Sequence, residues 1–164
     1  MSNISLPDCA ACSFSYLRVM HQQDLPEVLA IERQAYAFPW SQKGFENSLD
    51  QGLNFLFCAA SGDVLGYACV LTVLDEAHLL NFCIRGECQG KGQAKSAFMQ
   101  LQQHLQAAQY QVMFLEVRES NHRARCLYQQ LGFSEDGVRK GYYAAEDGKE
   151  DAILMSLSLS VLQS

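Results

Sequence analysis

A short apolar segment, Leu79 to Ile84, runs into Arg85-Gly86, then into Gly90-Lys91-Gly92, and passes directly into helical spacing at Ala94, Ala97, Phe98, Leu101, Leu105 and Ala108. Leu79, Leu80, Phe82, Cys83 and Ile84 read as a largely buried strand interrupted by the polar Asn81. A strand, a glycine turn and a helix in that order form an anion site. Gly90 and Gly92 carry no Cβ, so the backbone there can bend sharply and approach a ligand closely. The first N–H groups of the helix lack intrahelical partners and lie at the positive end of its dipole, where they can hold a phosphate or pyrophosphate. Two common uses of such a turn do not fit. A P-loop needs Ser or Thr after Gly-Lys, and Lys91 is followed by Gly92; a dinucleotide fingerprint needs Gly or Ala three residues after Gly92, and Lys95 stands there. For two glycines alone, a helix start that merely turns is an equal account.

At 164 residues the chain has room for one domain with a proper core. No charge-free apolar run approaches the ~18 residues of a membrane span, and no basic-then-apolar signal pattern opens the sequence, so a cytoplasmic protein without membrane contact is expected. Seven cysteines (Cys9, Cys12, Cys58, Cys69, Cys83, Cys88, Cys126) form an odd set scattered mostly through apolar segments. There cysteine acts as a small hydrophobe, in keeping with a reducing compartment. The spacing Cys9-Ala-Ala-Cys12 has no second pair beside it and is taken as chance. The net charge of −6 argues against nucleic acid as a partner. It is unevenly spread: the stretch from Arg85 to Arg125 carries +3, leaving −9 for the remainder. A basic segment around the glycine turn suits a phosphate-bearing cofactor, while Asp75-Glu76 and the acids from Glu146 to Asp151 suit a cationic substrate; an ordinary solvated surface is the competing account.

Residues 1 to 13 show no period and are expected to form a flexible terminus ahead of a domain spanning 14–160. A first strand is expected over Phe14 to Val19. A helix follows over His21 to Ala35, with Asp24 and Pro26 as start signals. After the break at Pro39, Ser41 is placed to cap a second helix through Phe45 and Leu49. The aromatics of the break, Tyr36, Phe38 and Trp40, either line a pocket or pack on the sheet. Asn54 to Ala60 and Val64 to Leu74 read as strands joined through Ser61-Gly62-Asp63, with Glu76 to Ile84 as a third. The helix from Gly92 leads to a strand over Val112 to Val117, which makes a parallel crossover unit. A helix from Asn121 to Leu131, ended by Gly132, precedes Phe133 to Lys140 and a last strand in which Ile153, Met155, Leu157 and Leu159 alternate with Leu154 and serines.

Two residues stand out as chemically useful. Glu116 lies near the C-terminal end of an apolar strand, on the face of Val112 and Phe114, where partial desolvation would raise its pKa above the ~4.3 of free Glu and favour a role as base. The alternative is a carboxylate satisfied by Arg118 or by backbone N–H groups. Tyr128, on the following helix, carries a phenol that can donate a proton at neutral pH, though a core tyrosine would look the same. His21, His78, His104 and His122 show no ligand spacing, so no metal is expected. No Gly-x-Ser-x-Gly elbow occurs, and Cys88 is read as a small turn residue in preference to a reactive thiol.

Three segments together carry a family pattern: Gln89-Gly90-Lys91-Gly92-Gln93-Ala94 after a strand, Leu115-Glu116-Val117-Arg118-Glu119-Ser120-Asn121, and Leu127-Tyr128-Gln129-Gln130-Leu131-Gly132-Phe133. With Ala37-Phe38-Pro39-Trp40-Ser41, Val73-Leu74-Asp75-Glu76-Ala77, and Tyr142-Tyr143 leading to Asp147-Gly148-Lys149-Glu150-Asp151-Ala152, they resemble the GCN5-related N-acetyltransferase (GNAT) superfamily across about residues 14 to 159. Within it they are most similar to the branch that acetylates the N-terminal alanine of protein eighteen of the small ribosomal subunit. The resemblance implies a single-domain α/β fold, with a mixed, mostly antiparallel central sheet, a parallel splayed strand pair and about four helices.

The resemblance also implies acetyl-CoA as co-substrate. Its pyrophosphate would lie on N–H groups from Cys88 through Gln89, Gly90, Lys91 and Gly92 to Gln93, its pantetheine arm along the backbone of Phe82, Cys83 and Ile84, and Asn121 would touch it. Glu116 matches the family's general base and Tyr128 its general acid, for direct transfer in a ternary complex without a metal. Trp40, Asp75, Glu76, Tyr142 and Tyr143 are candidates for the groove that takes the N-terminus of the ribosomal protein. A monomer is expected. Glu87, close to the anion turn, is expected to point away or to pair with Arg85. The competing functions are an acetyltransferase for a small amine or a lysine side chain, and a non-catalytic acyl-CoA-binding module.

Overall fold

The computed structural model describes residues 12–160. Its elements are β1 (Tyr16–Val19), α1 (Leu25–Ala35), α2 (Gln42–Gln51), β2 (Gly52–Cys58), β3 (Val64–Val73), β4 (Glu76–Ile84), α3 (Gln93–Ala107), β5 (Val112–Arg118), α4 (His122–Gln130), β6 (Ser134–Ala145) and β7 (Gly148–Ser158). The strands form one mixed sheet in the order β1-β2-β3-β4-β5-β7-β6. β4 and β5 run parallel, while β1–β2, β2–β3, β5–β7 and β6–β7 are antiparallel. This is the sheet and the helix number that the resemblance implied. No helix among the described residues is long and apolar enough to cross a membrane.

Two packing units divide the chain, one made of residues up to Leu71 with Asn81–Leu101, the other of Thr72–Leu80 with Gln102 onward. In the first unit, α1 presents Leu25, Val28, Leu29 and Ile31 at helical spacing to Phe45, Leu56, Tyr67, Cys69 and Cys83, all buried. Phe45 meets Tyr67 edge to face at 5.7 Å between ring centroids. Ser41 caps α2 as expected, its Oγ accepting from the Gly44 N–H at 3.2 Å. The joint between α2 and β2 buries Ser48 and Asn54, which satisfy each other: Ser48 Oγ donates to Asn54 Oδ1 at 2.6 Å, and Asn54 Nδ2 donates to the Ser48 carbonyl at 2.7 Å. At Gly66 a side chain would collide with the Cys83 carbonyl, so glycine is what lets β3 lie close beside β4.

The first strand and the first helix both begin later than the sequence expectation. β1 begins at Tyr16, because the Phe14 N–H donates to Gln93 Oε1 at 2.6 Å while the Phe14 ring stands edge-on to Phe57. α1 begins at Leu25 after a 3₁₀ turn over Gln22–Asp24. Asp24 accepts from the His21 N–H at 2.8 Å and pairs with Arg18 at 2.9 Å, an arrangement that ends the turn before the helix proper.

In the second unit, the parallel ladder joins Glu76–Leu79 to Val112–Leu115. Met113, Leu115 and Val117 of β5 are buried, and Phe114, Glu116 and Arg118 occupy the other, half-buried face. β7 continues the alternation, with Leu157, Met155 and Ile153 opposite Met113, Leu115 and Val117. β6 runs well past Lys140, where the apolar pattern suggested its end. Its register against β7 slips between Arg139 and Tyr143. Gly141 takes φ +60° there, and its N–H donates to Asp151 Oδ1 at 2.8 Å. This bulge breaks the period-two pattern and so hides the strand from a sequence reading.

Candidate functional site

The first unit carries the anion turn. Gly90 and Gly92 adopt φ +75° and +77°, the left-handed region that glycine enters without cost, and nothing lies within 4 Å of where their side chains would be. They are needed for the bend and leave open space in front of it. α3 starts immediately afterwards with no acidic residue in its first turn, and Lys91 is exposed beside it. The Cys88 N–H donates to the Arg85 carbonyl at 2.9 Å and the Gln89 N–H to the Gly86 carbonyl at 3.2 Å. Of the expected anion-binding amides, these two are therefore engaged within the preceding 3₁₀ turn. Gln89 Nε2 donates to the Ile84 carbonyl at 2.7 Å and Tyr36 Oη to the Phe82 carbonyl at 2.8 Å, so side chains already hold two carbonyls of the β4 segment expected to line the pantetheine arm. Phe82, Cys83 and Ile84 are themselves buried.

Cys88 is more than a small turn residue: it is buried and joined in a disulfide to Cys12. This corrects the reading of Cys88 as a small turn residue. The pair and the Phe14–Gln93 bond together tie the start of the described chain to both ends of the anion turn. Cys9 lies outside the described residues, and of the stretch 1–13 only Cys12 and Ser13 are described. Cys58, Cys69 and Cys83 are buried as expected, whereas Cys126 is exposed. Glu87 is exposed, and Arg85 pairs with Glu27 at 2.7 Å rather than with Glu87.

A buried polar cluster sits against β4, and Asn81 is its visible trace in the sequence. Glu32 of α1, 1% exposed, accepts from Tyr67 Oη at 2.6 Å and from Asn81 Nδ2 at 2.9 and 3.1 Å. Burial pushes the Glu32 carboxyl above the ordinary carboxylate range, against the opposing effect of those donors. A carboxyl whose folded pKa exceeds its unfolded one contributes fully below the free-Glu value of about 4.3 and loses that contribution as pH rises through the folded value. Glu32→Gln cannot titrate and puts an amide donor among donors, so it should be less stable by about 1–3 kcal/mol. Thermal melts should show the gap to wild type widest near about pH 4 and narrowing toward neutrality. A gap constant across that range would refute the assignment.

The second unit carries the two residues proposed for acid–base work. Glu116 sits on the half-buried face of β5, as alternation requires. Its surroundings differ from the apolar walls expected: Arg139 Nη1 of β6 lies 3.1 Å from Glu116 Oε1, and the Tyr142 hydroxyl donates to the same carboxylate. Arg118, the partner considered from sequence, is held elsewhere. It donates to the Ala144 carbonyl at 2.7 Å, pairs with Glu150 at 3.2 Å and lies over the Tyr143 ring at 4.5 Å. The Glu116 bond pushes the Tyr142 hydroxyl up, and burial reinforced by the Glu116 charge pushes Tyr143 up to about 12, so both phenols stay protonated and able to donate. Tyr128 lies on the inner side of α4, 9% exposed, with its ring edge-on to Phe133 at 5.5 Å. Asn121 is the N-cap of α4, its Oδ1 accepting from the Ala124 N–H at 3.1 Å.

The remaining candidates divide by environment. Tyr142 and Tyr143 come together edge to face at 4.9 Å in the same unit as Glu116. Asp75 is exposed in the turn before β4, and its carbonyl accepts from the Gln111 N–H at 2.8 Å. Glu76 lies 3.0 Å from His78 Nε2. Trp40 packs on Phe45 at 5.2 Å and against the apolar core, which is the packing alternative for the aromatic loop. Among the described residues no group of His, Cys, Asp and Glu could hold a metal ion. Arg139 escaped the sequence reading because it meets Glu116 only once β5 and β6 are both paired with β7. Glu32 carried a signal that could have been used, a carboxylate continuing the apolar stripe of Leu25, Val28 and Leu29.

Residues 23–133 match the Acetyltransferase (GNAT) family. The ribosomal protein bS18-alanine N-acetyltransferase of Escherichia coli K12 is 40% identical over 139 residues, 84% of this chain and 93% of that protein. The corresponding protein of Haemophilus influenzae is 37% identical over 137 residues, 83% and 93% of the two chains. The crystal structure of the ribosomal-protein-S18-alanine N-acetyltransferase from Escherichia coli superposes with a TM-score of 0.82 at 35% identity, covering 91% of this chain and 96% of that one.

Proposed function

The chain belongs to the acetyltransferase (GNAT) family, and from that membership we propose that it transfers the acetyl group of acetyl-CoA to the α-amine of the N-terminal alanine of ribosomal protein bS18. The observation that carries the substrate is the 40% identity that spans 93% of the Escherichia coli enzyme of that name. We take residues 14–160 as one catalytic domain that acts as a monomer in the cytoplasm.

Acetyl-CoA is a co-substrate and supplies the acetyl group as a thioester. The open bend at Gly90 and Gly92 and the acid-free first turn of α3 suit its pyrophosphate. With the Cys88 and Gln89 amides engaged internally, we assign the anion to the N–H groups of Gly90 to Gln93. We assign the pantetheine arm to the backbone at Phe82, Cys83 and Ile84. Asn121, whose Oδ1 caps α4, offers its amide nitrogen to the cofactor. Glu116 accepts a proton from the substrate ammonium, directly or through a water, and the freed amine attacks the thioester carbonyl. Tyr128 donates its phenolic proton to the departing thiolate. Asp75, Glu76, Tyr142 and Tyr143 receive the basic residues that follow the substrate alanine, and Trp40, anchored on Phe45, is a further candidate for contact with the peptide.

The test is acetyl transfer from acetyl-CoA to a synthetic peptide beginning Ala-Arg, with mass spectrometry locating the acetyl group. Acetylation of the α-amine, lost when that amine is blocked and far faster than with free lysine or spermidine, is the expected result. Faster turnover of the small amines would move the assignment to another acceptor. CoA binding without turnover of any amine would move it to a non-catalytic module.

A further inference from the structure

Two arginines of the second unit face the same tyrosine pair in different ways. Arg118 is one-quarter exposed and fastened to Ala144, Glu150 and the Tyr143 ring, which makes it a strut of the β6–β7 hairpin. Arg139 is half exposed. Among the described residues it touches the Glu116 carboxylate at 3.1 Å and lies over the Tyr142 ring at 4.9 Å. A carboxylate beside an aromatic face is a cation site, and here the chain fills it with its own cation. A guanidinium does not give up a proton in a protein, so Arg139 occupies this site without reacting there.

We propose that Arg139 is a resident stand-in for the substrate's α-ammonium, an exchangeable counter-ion that makes entry to Glu116 conditional on a competing positive charge. The inference rests on the assignment of Glu116 as base. An arriving ammonium displaces the guanidinium, which has solvent to move into, and unlike the guanidinium it can be deprotonated. Acetylation turns the amine into a neutral amide that no longer competes for the carboxylate. Glu116 passes the proton it took from the ammonium to solvent, Arg139 returns to the restored carboxylate, and the product leaves. Arg139 is thus a specificity-determining residue: it disfavours neutral acceptors and speeds clearance of the neutral product.

The experiment is steady-state kinetics with the Ala-Arg peptide, together with inhibition by the same peptide already N-acetylated. Arg139→Gln should lower the peptide KM about two- to fivefold, the range of a half-exposed ion pair, and should strengthen inhibition by the acetylated peptide by a similar factor. Arg139→Lys keeps a cation and should keep the wild-type KM. Arg139→Met, which retains an apolar stem over Tyr142, is read in the same assay, so a folding defect in one variant does not decide the outcome. A KM that stays level or rises in both charge-removing variants, with the wild type active, overturns the stand-in role alone. A wild type inactive on the peptide overturns the assignment of function on which it rests.

Discussion

Glu116→Gln should lower kcat/KM for the N-terminal peptide by about 10²–10⁴-fold at neutral pH, the usual worth of a positioned acid or base. The replacement keeps the shape and one hydrogen-bond acceptor but removes the group that takes the proton. Because the side chain is 29% exposed, the fold should tolerate the change, and melting temperature serves as the control. The loss should depend on pH. An α-amine has a pKa of about 7.7–8.0, so at pH 6 nearly all substrate arrives as ammonium and needs a base, whereas at pH 9 most arrives already deprotonated. The ratio of wild-type to variant kcat/KM should therefore shrink steadily as pH rises from 6 to 9. A ratio that does not change with pH, or a loss under about threefold, would remove Glu116 from proton transfer and leave it as a binding group for the ammonium.

What could be read from the sequence follows the range of the interactions involved. β4 falls on the expected bounds, Glu76 to Ile84, because a run of apolar residues closed by Arg85-Gly86 is a local signal. The Glu116 face followed from strand alternation in the same way. The anion turn was legible because glycines answer to their own backbone. Contacts across the chain were not. The Cys12–Cys88 disulfide joins residues 76 apart, and no spacing rule reaches that far. Arg139 meets Glu116 only across the intervening β7, and Glu32 finds Tyr67 and Asn81 only once helix and strands are packed. Asn81 interrupting a buried strand and Glu32 continuing the apolar stripe of α1 were the local traces of that cluster. The surroundings of Glu116 were misjudged for a related reason: half-buried positions on one strand say nothing about which side chain the neighbouring hairpin sends over them.

Tyr128→Phe should lower kcat about 10- to 10²-fold, with the melting temperature measured alongside to separate chemistry from stability. The Tyr128 ring is buried at 9% exposure and packs edge-on against Phe133, ring contacts that phenylalanine reproduces, so the variant removes the hydroxyl alone. Its loss should sit toward the lower end of general-acid effects, because a thiol of pKa about 8.5 leaves tolerably as its anion. The pH signature separates it from the Glu116 variant. Protonating the departing thiolate does not depend on how the amine entered, so the Tyr128→Phe deficit should persist from pH 6 to 9 while the Glu116→Gln deficit closes. If instead both deficits close together as pH rises, the two residues serve the same proton. Tyr128 would then act on the amine and not on the thiolate, and the leaving group would take its proton from solvent.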